Sequence, residues 1–113
     1  MTSTPLCHLT ETLQSLHGDK ETLHLLIREF LRTYPEQVLH MAQAYQTDDL
    51  SALANCLHSA RSTVSIFCAV AVRDQIIALE HGLRMQSALA RPAFYRFLND
   101  YMRIGLELAE YQG

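Results

Sequence analysis

The chain has 113 residues, of which 49% are apolar and 19% are charged, and this composition excludes an intrinsically disordered polypeptide. Its length fits a single hydrophobic core, so we expect residues 1–113 to form one domain. The formal net charge of −3 is opposite in sign to the charge of a general nucleic-acid-binding protein.

The first two predicted elements are helices, because apolar residues recur there at steps of three and four. Leu9 begins a short amphipathic helix that Gly18 ends. Asp19 is placed to cap a second helix, whose apolar pattern continues to Tyr45. Pro35 falls inside this pattern, and because the pattern resumes in register we expect a kink and not an end.

Three further helices complete the predicted fold. Asp48 is a suitable N-cap for the third helix, the fourth runs from Val72 to Leu83, and Pro92 opens the last. The third helix carries an apolar stripe that we expect to be buried: Leu50, Leu53, Leu57, Ala60, Val64 and Phe67. Strand signals are poor and connections are short. We therefore predict an all-α fold, an antiparallel up-down four-helix bundle with a short extra N-terminal helix laid over one end.

His58 differs from the other five histidines, which lie among charged or loop-like neighbours. It follows the buried stripe by one residue and is therefore rotated by about 100° toward solvent. Its face of the helix carries the small residues Ala54, Ser62 and Ser65 and the single cation Arg61. Small neighbours let a partner approach the imidazole, and the cation can stabilise negative charge there. This pattern suits a histidine that carries a phosphoryl group, and it also fits an ordinary surface histidine.

The segment that begins at His58 resembles the signature of histidine-containing phosphotransfer (HPt) domains. That signature is a histidine, two residues, lysine or arginine, glycine, five residues and a Gly-Ala pair. Arg61 and Ala69 match it, whereas Ser62 and Cys68 stand where the family has its two glycines. Serine is small enough to keep a close approach to a partner. At Cys68 we expect the helix to end differently or to run on.

Three further stretches extend the resemblance along the chain. Residues 30–35 look like the Phe-Leu-x-x-Leu-Pro stretch of the family's long second helix. Residues 46–49 look like the acidic turn before the active helix, and residues 79–80 match the Leu-Glu or Leu-Gln pair on the following helix. The resemblance therefore covers nearly the whole chain, from about Leu9 to about Tyr111.

The resemblance implies a role for each matching residue. His58 would be the phosphoacceptor, modified at Nε2, and Arg61 would contact the phosphoryl oxygens and an acidic receiver domain. Glu80 stands where the family has a carboxylate or amide that accepts a hydrogen bond from Nδ1. That bond would fix the tautomer in which Nε2 keeps its lone pair. Glu80 also fits a solvated carboxylate on a helix surface.

The function that the resemblance implies is that of a phosphorelay intermediate in two-component signalling. The chain would accept a phosphoryl group on His58 from a receiver-domain aspartate of a hybrid histidine kinase and pass it to the aspartate of a response regulator. It has no Gly-rich phosphate loop, so we expect a phosphocarrier without kinase activity of its own. We expect no cofactor and no metal site in the chain itself, and Mg²⁺ on the partner receiver domain.

A docking face for the receiver domain is predicted around the histidine. The small side chains of Ala54, Ser62 and Ser65 would form its centre, with Phe30 and Tyr34 as apolar candidates; ordinary core packing also fits these two aromatic residues. We expect a monomer, because a relay face must stay accessible. The resemblance fits both a stand-alone relay protein and the C-terminal module of a hybrid sensor histidine kinase.

Other classes of function remain as alternatives. A helical docking module whose histidine is never phosphorylated fits the same fold. A zinc site fits poorly, because no His-x₃-His or Cys-x₂-Cys spacing occurs. Cys56 and Cys68 lie in apolar surroundings, which suit buried and inert thiols better than redox sensors. The odd number of cysteines, without a Cys-x₂-Cys pair, favours a location in the reducing cytoplasm; within a membrane sensor kinase this would be the cytoplasmic side of the inner membrane. The sequence contains no basic amphipathic helix, so we expect no direct membrane binding.

Overall fold

The computed structural model describes residues 4–85 and 89–111 and folds them into five helices. The helices are α1 (Leu9–Ser15), α2 (Lys20–Gln46), α3 (Leu50–Ile66), α4 (Val70–Arg84) and α5 (Arg91–Glu110). No β-strand occurs in the two described ranges, and the prediction of an all-α fold is confirmed.

The four long helices surround one core. Helix α3 packs against α2 and α4, and α5 closes the bundle by packing against the same two helices. The connections between α2, α3 and α4 are only a few residues long, which makes these neighbours antiparallel. The predicted up-down four-helix bundle is therefore confirmed.

The short helix α1 lies across one end of this bundle, as the sequence predicts. The backbone N–H of His8 donates to the carbonyl oxygen of Phe67 at 3.0 Å. The hydroxyl of Thr12 donates to the carbonyl oxygen of Ile66 at 2.8 Å. Both acceptors lie at the C-terminal end of α3, where the last carbonyls of a helix need partners from outside it.

The segment that precedes α1 is tied to α5 by one side chain. The carboxylate of Glu107 accepts a hydrogen bond from the backbone N–H of Leu6 at 2.8 Å and another from that of Cys7 at 2.9 Å. Burial raises the pKa of the Cys7 thiol to about 12, and the negative charge of Glu107 acts in the same direction.

The core takes residues from all four long helices, and its stripe on α3 has the predicted register. Leu50 is the exception, because this first residue of α3 is 51% exposed and the buried stripe begins with Leu53. The buried apolar residues of the long helices are Leu23, Ile27, Phe30, Met41, Ala44, Leu53, Leu57, Ala60, Val64, Val72, Ile76, Leu79, Phe94, Phe97, Leu98, Tyr101, Ile104 and Leu108.

Two aspartates cap the helices α2 and α3. The carboxylate of Asp19 accepts from the N–H of Thr22 at 3.1 Å and from its hydroxyl at 2.7 Å, and these hydrogen bonds lower the pKa of Asp19. Helix α3 is capped by Asp49, which accepts from the N–H of Ala52 at 3.1 Å. The prediction of Asp48 as this cap is wrong by one residue, because Asp48 adopts a left-handed conformation with φ 53° that ends α2.

Helices α1, α2 and α3 end in the same way, with a non-glycine residue in the left-handed region. These residues are His17, Asp48 and Cys68, with φ values of 55°, 53° and 54°. After α3, the N–H of Cys68 donates to Ser65 and that of Ala69 donates to Val64, both at 3.1 Å, which is the Schellman pattern. Cys68 therefore ends α3 in the left-handed conformation that glycine favours. The expectation that cysteine at this position makes the helix end differently or run on is wrong.

Helix α2 continues through Pro35 over its full 27 residues, so the proline does not end it. The ring of the preceding residue, Tyr34, stacks on Phe30 with a centroid distance of 5.2 Å. It also covers Gly105 of α5, where a Cβ atom would lie 2.5 Å from Cζ of the tyrosine. The close approach of α2 and α5 thus depends on a glycine at position 105.

Candidate functional site

The candidate phosphoacceptor His58 lies near the middle of α3 and is exposed to solvent. The packing of α3 determines this exposure, because Leu57 and Val64 are completely buried and fix which face of the helix meets the core. A step of one residue from Leu57 turns the next side chain by about 100°, away from that core. The structure therefore presents the imidazole on the surface, next to the groove between α3 and α4.

The guanidinium of Arg61 lies directly beside the imidazole. Its Nη2 atom is 3.1 Å from Nδ1 of His58, and its Nη1 atom is 3.4 Å from Oε1 of Glu80 on α4. A guanidinium has only donors, so Nδ1 is the acceptor in the first of these contacts. Arg61 thus connects the histidine of α3 with a carboxylate of α4.

The carboxylate of Glu80 is more buried than its partner. Its side chain is 12% exposed, against 37% for that of Arg61, because Glu80 follows the buried Leu79 and faces α3. Its buried Oε1 atom accepts no hydrogen bond, although it lies at ion-pair distance from the guanidinium. The resemblance implies a hydrogen bond between Glu80 and Nδ1 of His58, but in this structure the guanidinium takes that place.

The surroundings of the histidine are small, as the sequence predicts. Ala54 is half-buried, and Ser62 and Ser65 are exposed. The hydroxyl of Ser65 donates to the backbone carbonyl of Arg61 at 2.8 Å, so it is engaged within its own helix. These small side chains leave the imidazole open to a partner that meets this exposed face of α3.

Arg84 is a candidate site residue that the sequence reasoning missed. It lines a groove between α3 and α4 together with Ser51, Ala54 and Glu80. Its side chain is exposed and forms no ion pair within the described ranges. The signal that indicates it is its spacing, because Arg84 follows Glu80 by four residues and so lies one turn further along α4.

The predicted contribution of two aromatic residues to the docking face is not supported. Phe30 is 3% exposed, and its ring packs against Phe67 and Tyr101 at centroid distances of 5.7 and 5.5 Å. Tyr34 is half-buried, and its ring is directed to Gly105 on α5. Phe30 therefore belongs to the core, and the ring of Tyr34 packs toward α5, so ordinary core packing accounts for both side chains.

Among the residues that the structure describes, the cysteines and the other polar groups do not form a second candidate site. Burial raises the pKa of the Cys7 and Cys56 thiols, which disfavours the reactive thiolate. In the part of the chain that the structure describes, no cluster of three or more histidine, cysteine, aspartate or glutamate side chains is arranged to hold a metal ion. Among the same residues, no helix combines the length and the apolar character needed to cross a membrane.

The chain is similar to known proteins in its sequence and in its fold. The family model of the Hpt domain matches residues 25–111, which include all of α3, α4 and α5. No curated protein matches the chain. The HPT domain from the Hpt sensor hybrid histidine kinase from Shewanella superposes with a TM-score of 0.80, covering 93% of this chain and 92% of that chain at 15% identity. This likeness shows a shared fold.

Proposed function

The chain belongs to the Hpt domain family, and from this premise we propose that it accepts a phosphoryl group on His58 from a receiver-domain aspartate and passes it to the aspartate of a response regulator. Hpt domains are phosphocarriers of two-component phosphorelays, they interact with receiver domains, and they are not kinases. We extend the proposal to residues 1–113 as one such domain, acting as a monomer in the cytoplasm.

The observation that carries this proposal is the exposure of His58 among small side chains. An imidazole that is open on one side, with Ser62 and Ser65 as neighbours, can reach into the active site of a second protein. The aspartyl phosphate of a receiver domain would lie in a recessed active site. The accepting histidine must therefore protrude, and the residues around it must be small enough to let the two proteins meet. This shape supports a relay function more directly than it supports a purely structural histidine.

The transfer step needs a lone pair on Nε2. In the proposed reaction Nε2 of His58 attacks the phosphorus in line, an N–P bond forms, and the bond to the aspartyl oxygen breaks and releases a carboxylate. The proton on Nδ1 stays on the ring, which carries positive charge until the phosphoryl group moves on. The receiver domain is expected to hold the Mg²⁺ that reduces repulsion among the phosphoryl oxygens.

Two arginines supply favourable charge at the contact surface. Guanidinium groups bind phosphate and carboxylate oxygens with paired hydrogen bonds, and Arg61 needs only a side-chain rotation to meet the phosphoryl group. Arg84 extends the positive charge along α4. The surface around His58 is therefore suited to an acidic receiver, even though the whole chain has a net charge of −3.

The first test is the intact mass of the protein after incubation with phosphoramidate and Mg²⁺, which needs no knowledge of the natural partner. We expect one phosphoryl group on the wild type and none on His58→Gln. The adduct should be lost in acid and stable in base, as a phosphoramidate bond on histidine is. His40→Gln is the matched control, because His40 is also exposed but lies on α2, and it should be modified like the wild type.

The second test is the discharge of the phosphorylated protein to receiver domains in the presence of Mg²⁺. We expect the label to move to the receiver aspartate, and we expect the reverse transfer when the receiver is phosphorylated first. If a control Hpt protein is modified by phosphoramidate and this chain is not, the relay proposal is wrong. The chain would then be a docking module of the same fold.

A further inference from the structure

The contact between Arg61 and His58 determines where the imidazole proton lies. Nη2 of Arg61 is 3.1 Å from Nδ1, and a guanidinium can only donate. Nδ1 must therefore present its lone pair to the guanidinium. In the neutral ring the single proton is then on Nε2.

This tautomer is not the reactive one. Nε2–H has no lone pair in the plane of the ring with which to attack phosphorus, and the lone pair of Nδ1 is engaged by the guanidinium. Neither nitrogen of His58 is thus available as a nucleophile in this arrangement, although the ring is exposed to solvent.

We propose that Arg61 is a positioning residue that holds neutral His58 in the Nε2–H tautomer until an anionic group draws the guanidinium away. This inference rests on the proposed function, because it concerns the same histidine. It assigns to Arg61 a role before the phosphoryl group arrives, in addition to any contact with that group afterwards.

The carboxylate of Glu80 has two roles in this arrangement. It anchors the guanidinium over Nδ1, since Nη1 is 3.4 Å from Oε1. The same Oε1 atom is buried and accepts no hydrogen bond. A buried acceptor without a donor is costly, so Oε1 is ready to accept a hydrogen bond from a donor that enters its surroundings.

Once Arg61 has moved away, the imidazole of His58 can supply that donor. When the guanidinium turns to the oxygens of a phosphoryl group, Nδ1 and Oε1 face the space that it leaves. Nε2–H then loses its proton to solvent and Nδ1 takes one up, so the ring stays neutral and the number of bound protons is unchanged. The Nδ1–H group donates to Glu80, and Nε2 now carries the lone pair that the transfer needs.

Nitrogen-15 NMR of the imidazole tests this inference directly, because the shifts of Nδ1 and Nε2 identify the protonated atom. Spectra are recorded at about pH 8.5, where an ordinary imidazole is neutral. We expect Nε2–H in the wild type. In Arg61→Met the ratio of Nε2–H to Nδ1–H should fall by about tenfold or more, the effect that one charge-assisted hydrogen bond supports.

Two variants separate the tautomer effect from a general change of charge. Arg84→Met removes a cation from the neighbouring groove without touching the ring, and it should leave the tautomer ratio unchanged. The double variant Arg61→Met with Glu80→Met also removes the carboxylate that would accept from Nδ1–H. It should therefore reverse the increase in the Nδ1–H tautomer that Arg61→Met alone produces. Amide spectra establish that each variant is folded.

The inference is overturned if the wild type shows Nδ1–H, or if Arg61→Met leaves the ratio unchanged. These outcomes are distinct from failure of the relay. A protein with the expected tautomers that takes no phosphoryl group would contradict the proposed function alone. A protein that is phosphorylated on His58 but rests as Nδ1–H would contradict only the role given to Arg61.

Discussion

The ring of Tyr34 on α2 lies over Gly105 on α5, at a distance where a Cβ atom would come within 2.5 Å of Cζ. Replacement Gly105→Ala should therefore destabilise the protein, because neither the stacked ring nor the packed helix can yield freely. We expect a loss of about 1–3 kcal/mol in the free energy of unfolding, measured with urea, which is typical of overpacking.

A double-mutant cycle identifies the source of this loss. In the Tyr34→Ala background the same glycine replacement should cost much less, since the ring it meets is absent. Gly82→Ala is a matched control, because its Cβ would meet only the flexible end of Leu89 at 2.9 Å. A loss at position 105 that is unaffected by removal of Tyr34 would contradict the packing explanation.

Cys68 adopts a left-handed conformation, which costs a residue with a Cβ atom more than it costs glycine. We expect Cys68→Gly to be more stable than Cys68→Ala by about 1 kcal/mol in chemical denaturation. At Ala78, an exposed position inside α4, the order should be the opposite, with glycine less stable than alanine. Equal stabilities of the two variants at position 68 would show that the left-handed turn does not persist.

Alkaline pH should destabilise the fold through groups that are buried in their neutral forms. Burial raises the pKa of Cys7 from 9.0 to about 12 and also raises that of Tyr101. The unfolded chain loses these protons at lower pH than the folded protein, so the free energy of unfolding falls as pH rises above about 9. Urea unfolding curves recorded between pH 8 and pH 11 measure how the free energy of unfolding changes with pH. Each proton that the folded protein retains and the unfolded chain has lost contributes about 1.4 kcal/mol per pH unit to this slope.

Single variants assign the alkaline slope to its sources. Cys7→Ala should make the slope shallower by removing one titrating group, even if it lowers the stability at neutral pH. Tyr101→Phe should do the same, although it also removes the hydrogen bond that the tyrosine hydroxyl donates to Gln37 at 2.6 Å. Slopes equal to that of the wild type in both variants would exclude these groups as the cause.

Arg84 should affect association with a receiver domain if the relay proposal is correct. It is exposed in the groove that adjoins His58, so Arg84→Glu places negative charge where an acidic partner docks. We expect association to slow by roughly tenfold at low salt and the difference to shrink at high salt. Arg96→Glu, the same change on the exposed surface of α5, is the control, and an equal effect of both variants would contradict a docking surface at the groove.

The fold was predictable because helix periodicity and caps act over a few residues. The apolar stripe of α3 and the cap Asp19 are local features, and the structure shows both. The wrong prediction of Asp48 as the N-cap of α3 also concerns only neighbouring residues. Two adjacent aspartates follow α2, and their spacing alone does not reveal that the first one takes the left-handed conformation and the second one caps α3.

The contacts of the site were less predictable because they depend on packing between helices. The position of His58 on an exposed face follows from α3 alone. The contact of Arg61 with both His58 and Glu80 requires the register of α3 against α4, together with the reach of a guanidinium. The burial of Phe30 likewise depends on three helices, since its ring packs against residues of α3 and α5.

The hydrogen bonds from Leu6 and Cys7 to Glu107 join residues that are 101 and 100 positions apart. Ordering the chain across such a separation costs more loop entropy than any contact within a pair of neighbouring helices. We therefore expect this closure to form after the four long helices have assembled. In the native state it should be the first to open, so that hydrogen exchange at these two amides proceeds while the bundle stays intact.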